Sequence, residues 1–277
     1  MKRSIIAWLP LTVALAACAA SPAQETTSLA EALTRQVDRT QLDIGPPYLP
    51  GPLDNAVALI PPPPEAGSDR AGRDAAAERE ALLLRGSGRW ELAARDARLG
   101  TDAVADAFSC SAGMMLSERT TPAIAKLVKR ATADFGMSTG LVKKTYQRTR
   151  PFAQNGQPTC TPEAETMLAD NGSYPSGHAA IGYGTAMVLS AVFPDARAAL
   201  TSRGGAFADS RRVCNVHWRS DVEAARPIAE ATFEHLMTDE GFAADLAAAR
   251  AEAAALADDP PTPAPAACDA EAQALAG

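Results

Sequence analysis

The sequence is poor in what builds sheets. Nowhere do β-branched residues alternate with polar ones in the period-two pattern of a half-buried strand, which argues against a sandwich or barrel. Beyond Ile5–Ala17 no apolar run could cross a bilayer, which excludes a polytopic membrane protein. A basic excess is also missing. The 26 Lys and Arg are outnumbered by 33 Asp and Glu, for a net charge of -7 and a pI near 5.1. That balance excludes a nucleic-acid polymer as the expected partner, although a local cationic cluster can still hold a small anion. Cysteine is scarce, five in 277 residues, and its spacing fits no zinc-ligand pattern. No internal repeat is present. What remains is an ordinary globular balance, 47% hydrophobic and 21% charged, in a chain long enough for one sizeable core.

The chain starts with an address. Lys2 and Arg3 precede the apolar stretch Ile5–Ala17, a secretory signal pattern too short for a comfortable span. Its end, Leu15-Ala16-Ala17-Cys18, resembles the lipobox of bacterial lipoproteins. Residues 1–18 are therefore expected to be a signal peptide. Cys18 is the candidate lipidation site, and the product is periplasmic and membrane-anchored. Cleavage after Ala20 or Ala23, with Cys18 discarded, is the alternative. Four cysteines then remain, Cys110, Cys160, Cys214 and Cys268. An even number in an exported chain points to disulfides, and three complete pairings are open.

Residues 19–67 form a Pro-rich N-terminal arm containing Pro61-Pro62-Pro63-Pro64, either wrapped on the domain or a disordered linker. Residues 68–256 read as a single helical domain. Ser68 caps a helix running to Leu82–Leu84 and stopped by Gly86. Thr121-Pro122 starts another, with Ile124, Leu127, Val128 and Ala131 at helical spacing and Gly136 as its end. Thr161-Pro162 repeats the start signal. Ala179–Phe193 is apolar enough for a buried central helix. Asp221–Met237 and Gly241–Leu256 follow as two more. The Pro- and Ala-rich residues 257–277 read as a flexible tail. The fold class is all-α.

Three clusters carry chemistry. Lys143 stands seven residues before Arg150, close to two helical turns, so two cations can share a face. Pro151 places Arg150 where that helix gives way to loop. Gly172-Ser173-Tyr174-Pro175-Ser176-Gly177-His178 immediately precedes the buried helix. A helix start offers unpaired N–H groups to an anion, with Ser176 and Gly177 placed to approach it and His178 held beside it. The third cluster is Ser210-Arg211, then His217, then Asp221. Four residues apart on a helix, His217 and Asp221 would be neighbours on one face. A carboxylate beside an imidazole fixes its tautomer and leaves the other nitrogen a free lone pair, which makes a nucleophile. Arg211 adds a forked cation for phosphate oxygens.

Together these clusters, Lys-x6-Arg-Pro, Pro-Ser-Gly-His and Ser-Arg-x5-His-x3-Asp, resemble the signature of the acid phosphatase and type 2 phosphatidate phosphatase superfamily. The flanking residues, including Ile181-Gly182 and His217-Trp218-x-Ser220-Asp221-Val222, resemble its class A bacterial nonspecific acid phosphatases, from about Tyr48 to Leu246. The resemblance implies a helical domain of the type shared with vanadium haloperoxidases. It also implies hydrolysis of small phosphate monoesters through a phosphohistidine intermediate, without a metal or other cofactor. His217 would be the nucleophile, Asp221 its orienting carboxylate, and His178 the proton donor and acceptor. Lys143, Arg150, Arg211, Ser176 and the Gly177 amide would hold the phosphoryl oxygens. Vanadate is expected to inhibit. The chain departs from the subgroup at Ala179, where Thr is frequent, at Arg212, usually apolar, and at Asn215, usually Gly. None of these is a catalytic position.

If Arg150 and Arg211 meet one phosphate, their flanking segments converge, and a Cys160–Cys214 disulfide is the expected pairing. Tyr174 and Trp218 border the site as candidate pocket residues, with packing an equal reading. Met114 and Met115 are weaker candidates of the same kind, and His235 is expected on a helix surface. Two other functions fit less well. A vanadium-dependent haloperoxidase is disfavoured by the short chain and the class A flanks. A non-catalytic phosphate-binding lipoprotein would lack His217, His178 or Asp221. A homo-oligomer is left open.

Overall fold

A computed structural model describes residues 44–100 and 102–276. The signal segment, Cys18 and the first part of the arm lie outside the described residues. Among the described residues there is helix and loop and no strand. No described helix is long and apolar enough to cross a membrane.

Four of the described helices begin where a short polar side chain accepts a free N–H. Helix α1 (Asp69–Leu83) starts at Ser68, whose Oγ accepts the Ala71 N–H at 3.2 Å. Helix α2 (Gly88–Asp96) starts at Ser87 in the same way. Two single turns follow, α3 (Ala103–Asp106) and α4 (Ser109–Ala112). Helix α5 (Pro122–Ser138) opens on the expected Thr121-Pro122 but runs past Gly136. That glycine sits inside the helix facing Ile181, and the helix ends two residues later at Ser138. Then come α6 (Gly140–Tyr146), α7 (Pro151–Asn155) and α8 (Glu165–Ala169), the last entered through a 3₁₀ turn at Pro162–Ala164. The long elements of the second half are α9 (Gly177–Val192), α10 (Arg197–Val213), α11 (Arg219–Leu236) and α12 (Glu240–Ala255).

Helix α9 is the core, apolar on nearly every side, and it packs against α5, α10 and α11. Glycine makes the approach to α10 close. A methyl group on Gly182 would sit 2.7 Å from the Phe207 ring, and one on Gly204 would sit 2.8 Å from the Gly182 carbonyl. Any side chain at this crossing would push the two helices apart. The start of α9 is thereby fixed against the end of α10, which is where the second and third sequence clusters lie.

The described part of the arm lies on the domain. The Asp134 carboxylate accepts the N–H groups of Tyr48 at 3.0 Å and Leu49 at 2.9 Å. Arg130 stacks over the Tyr48 ring at 3.7 Å. Leu53, Ala56 and Ile60 are buried with Val142, Tyr174, Ala224 and Ile228.

The tail corrects the sequence reading. Residues 265–276 form α13 (Pro265–Ala276), pinned by a Cys110–Cys268 disulfide with Cα atoms 5.5 Å apart. Glu271 accepts from Arg203 at 3.1 Å. Local composition hid this, because both anchors are distant in sequence, 158 residues for the disulfide. The second disulfide joins Cys160 to Cys214, Cα atoms 4.8 Å apart.

Candidate active site

The centre of the site is the turn between α10 and α11. Helix α10 ends at Val213, and Asn215 takes a left-handed conformation, φ 60°. This explains a departure from the subgroup pattern. Asn tolerates that region better than other non-glycine residues. Here its amide is also held, accepting from Asn155 at 2.9 Å and donating to the Gln157 carbonyl at 2.9 Å. Arg212 is likewise accommodated, pairing with Asp209 and donating to the Ala77 carbonyl. The turn reverses the chain so that the N–H groups of Val216 and His217 both donate to the Arg211 carbonyl at 3.2 Å.

His217 and Asp221 meet, though not on one helix face. His217 precedes α11 and Asp221 is in its first turn. The Asp221 Oδ2 accepts the Trp218 N–H at 2.8 Å and lies 3.3 Å from His217 Nδ1. On the far side of the ring, Nε2 is 3.0 Å from Arg150 Nη1. A guanidinium can only donate, so Nε2 must carry the lone pair. The ring proton is then on Nδ1, directed at Asp221. The tautomer follows from these two partners.

Lys143 and Arg150 do not share a helix either. Lys143 is on α6, which ends at Gln147 with φ 44°, and Arg150 is the extended residue that opens α7. The loop between them brings them together. Arg150 is held by four contacts. Its Nε donates to the carbonyls of Leu168 at 2.7 Å and Asn171 at 2.9 Å. Its Nη1 donates to the Val216 carbonyl at 3.0 Å as well as to His217. Lys143 Nζ donates to the Gly172 carbonyl at 2.6 Å. Arg211 is buried, and its Nε and Nη1 have no hydrogen-bond partner among the described residues.

Buried donors without acceptors cost free energy, and here they belong to a cation that another cation, Arg150, further opposes. Burial lowers the pKa of Lys143, with Arg150 adding to it. Burial takes Arg150 down to about 10 and, helped by Arg150, takes Arg211 down to about 9. Such a cluster demands an anion.

The start of α9 supplies the rest. Ser176 caps the helix, its Oγ accepting the Ala179 N–H at 3.2 Å, and its own N–H donates to the Asp221 carbonyl at 3.0 Å. The hydroxyl proton is left to donate. Gly177 is closely surrounded, since a methyl would lie 3.3 Å from Thr139 Oγ1 and 3.4 Å from the Gly136 carbonyl. His178 Nε2 donates to the Ala97 carbonyl at 2.9 Å, so Nδ1 is the nitrogen that can gain or lose a proton. Burial holds both histidines well below the usual range. Arg211 adds most to this for His178, and Arg150 for His217.

Tyr174 and Trp218, read from sequence as either pocket or packing residues, are both buried and hydrogen-bonded. Tyr174 is buried, packs edge-on against Tyr146 and donates its hydroxyl to the Pro61 carbonyl at 2.6 Å. Trp218 is buried and donates to the Thr149 carbonyl at 2.9 Å. Met114 belongs to the main core, and His235 is exposed on α11. Sequence reasoning missed Arg148 and Asp74. Arg148 Nη1 pairs with Asp221 Oδ1 at 2.6 Å and Nη2 with Asp74 Oδ2 at 2.7 Å. Arg148 lies in the six-residue spacer between Lys143 and Arg150, where the motif names no residue, and Asp74 reads as an ordinary polar position of α1. Among the described residues, no group of three or more His, Cys, Asp or Glu side chains is arranged to hold a metal.

The helical fold and this cluster define a phosphatase of the PAP2 superfamily, whose domain is matched over residues 127–239. The chain is 41% identical over 203 residues to a non-specific acid phosphatase of Providencia stuartii, covering 73% of this chain and 82% of that protein. It is 37% identical over 210 residues to a non-specific acid phosphatase of Salmonella typhimurium, covering 76% and 84%. It is 38% identical over 193 residues to an acid phosphatase of Zymomonas mobilis subsp. mobilis, covering 70% and 73%. The chain belongs to the class A nonspecific acid phosphatases and is an acid phosphatase.

Proposed function

We propose that this enzyme hydrolyses a broad range of small phosphate monoesters through a phosphohistidine on His217, with no metal ion in the reaction. The observation that carries this reading is the His217 tautomer, with Nδ1–H on Asp221 and the Nε2 lone pair beside the arginine cluster. A phosphoryl group placed among Lys143, Arg150 and Arg211 would have its oxygens neutralised and its phosphorus next to Nε2. Phosphoryl transfer asks mainly for positioning and charge stabilisation, which these cations supply.

In the first step His217 Nε2 forms a bond to phosphorus as the ester P–O bond breaks. The leaving oxygen takes a proton from His178 Nδ1. In the second step water attacks phosphorus, gives its proton to His178, and the P–N bond breaks. Asp221 balances the positive charge on the phosphorylated imidazole. A dianion entering the site opposes the cations that depress His178, which favours its protonated form when it is needed.

The test is to mix enzyme, excess chelator and a labelled monoester, then quench in denaturant at alkaline pH, where a P–N bond survives. Label should sit on His217 and be absent from His217→Ala, and orthovanadate should inhibit turnover. Strict dependence on an added divalent metal, or label elsewhere, would overturn the mechanism. We further propose export to the periplasm with a lipid anchor on Cys18, because Leu15–Cys18 has the lipobox pattern. The mass of the mature N-terminus decides this, and an unmodified start at Ser21 or Gln24 would refute it.

A further inference from the structure

We propose that Arg148 and Asp74 are positioning residues that aim the Asp221 carboxylate at His217, acting through Asp221 and touching no substrate. The proposal rests on His217 being the nucleophile. Asp221 has two oxygens with different duties. Oδ2 faces His217 Nδ1 and accepts the Trp218 N–H. Oδ1 is held from the opposite side by Arg148 Nη1 at 2.6 Å. The plane of the carboxylate is thus set by three donors. Loss of the Arg148 contact would free it to rotate away from the imidazole.

Arg148 is itself clamped. Its other fork nitrogen pairs with Asp74 Oδ2 at 2.7 Å, and its Nη1 also donates to Ser220 Oγ at 2.8 Å. Asp74 in turn fixes the start of α11. Its Oδ1 accepts the Ser220 N–H at 2.8 Å, and its Oδ2 accepts the Ser220 hydroxyl at 2.6 Å. A carboxylate at a helix start satisfies orphan N–H groups and favours the dipole. Helix α11 therefore begins between two carboxylates, one its own and one from α1, joined by one guanidinium. Asp74 is only 3% exposed and Arg148 has a side chain 15% exposed, so the bridge is shielded from the screening that weakens surface pairs.

Charge calls for a cation here, and shape calls for an arginine. A lysine would keep the charge but could not span Asp221 Oδ1 and Asp74 Oδ2 with a rigid fork. The network also adds no net positive charge beside the phosphate cations, since Asp74 neutralises Arg148. Its contribution should thus appear in the geometry of His217 and not in the general attraction of anions.

Two variants test this, Arg148→Lys and Asp74→Asn. Each should lower kcat by about 10- to 100-fold, short of the ~10⁴ typical of removing an orienting carboxylate outright. KM and inhibition by inorganic phosphate should stay within about threefold. Inhibition by orthovanadate should weaken in step with kcat, because vanadate's bond to His217 needs the same aim as the transition state. A folded variant with unchanged kcat would overturn the proposal. So would equal weakening of phosphate and vanadate, which is the mark of a pocket that has merely loosened. Should Asp74→Asn fail to fold, Arg148→Lys decides alone, since it keeps the buried charge. The alkaline-quench label on His217 is read separately, so failure of the nucleophile assignment is distinguishable from failure of the aim.

Discussion

Arg150 Nη1 lies 3.0 Å from His217 Nε2, and a guanidinium N–H facing an imidazole nitrogen is compatible only with the neutral ring. Burial, then Arg150, hold the His217 pKa well below its usual value. Under the proposed mechanism His217 attacks as the neutral ring, so activity is lost as pH falls through its pKa. The acid limb of kcat/KM should accordingly lie below the free-histidine value of about 6.5. Arg150→Gln removes the second cause and must raise the pKa, so the limb should move to higher pH. The rate should fall by about 10²–10³ as well, since a phosphate donor is lost. The substrate's own ionisation is common to both enzymes and cancels in the comparison. A limb that stays put or moves down would contradict this account.

Arg211 should show opposite effects on stability and function. Its Nε and Nη1 are buried without a hydrogen-bond partner, and Arg150 opposes its charge. Arg211→Leu removes groups whose burial costs about 1–3 kcal/mol. The ligand-free protein should melt higher, by roughly 2–4 °C for each kcal/mol in a chain of this size. Phosphate should stabilise wild type, by about 2.7 kcal/mol at a hundred times its Kd, and the variant far less. Thermal melts with and without phosphate check both signs. A variant that melts lower without ligand would show that Arg211 is a structural residue.

The clustering of the candidate site residues was legible in sequence because they are rare residue types at fixed spacings. Two of three histidines, a Ser-Gly pair before an apolar helix and three cations before or after it leave few alternatives. The geometry behind those spacings was not legible. Seven residues suggested one face for Lys143 and Arg150, with the helix giving way to loop at Arg150, but the left-handed Gln147 ends it earlier. Four residues suggested one helix face for His217 and Asp221, but His217 sits outside α11. Arg148 and Asp74 were missed because their partners are chosen by tertiary packing 73 and 146 residues away. For Tyr174, pocket lining and packing stayed equal readings because an aromatic beside a motif carries no sign of which way it faces. The C-terminal helix was missed because its anchor is a disulfide to a distant turn.

The two disulfides should separate function from stability. Cys160–Cys214 fixes the segment between Arg211 and His217. Cys110–Cys268 holds α13, whose Glu271 braces Arg203 and through it Asp96. Replacing Cys110 and Cys268 by Ser should cost about 2–4 kcal/mol of stability with kcat within about threefold of wild type. Replacing Cys160 and Cys214 should lower kcat at temperatures where the variant is still folded. Melting and turnover of both double variants settle it. Equal kcat in the two would mean that the turn holds its shape without the bond.

The last prediction separates the histidines by leaving group. His178 Nε2 is committed to the Ala97 carbonyl, so only Nδ1 can serve the reaction. An alkyl alkoxide departs poorly without a proton, and general acid help is worth about 10²–10⁴ in rate. His178→Ala should lose that much on an alkyl phosphate. A nitrophenolate leaves without protonation, so phosphorylation of His217 by a nitrophenyl ester should be far less affected. The second step still lacks its base, and phosphohistidine should accumulate. The observable is a burst of nitrophenol equal to the enzyme present, followed by slow turnover, with label trapped on His217 by alkaline quench. The pH dependence follows with a definite sign. His178 must start protonated for an alkyl ester, so the wild-type rate on that substrate falls as pH rises through the pKa of the substrate-bound form. With the nitrophenyl ester that limb should flatten in the first step. His217→Ala should show neither burst nor label on either substrate. Equal losses on the two esters in His178→Ala, with no burst, would remove the proton-transfer role from His178 and leave it a structural residue at the start of α9.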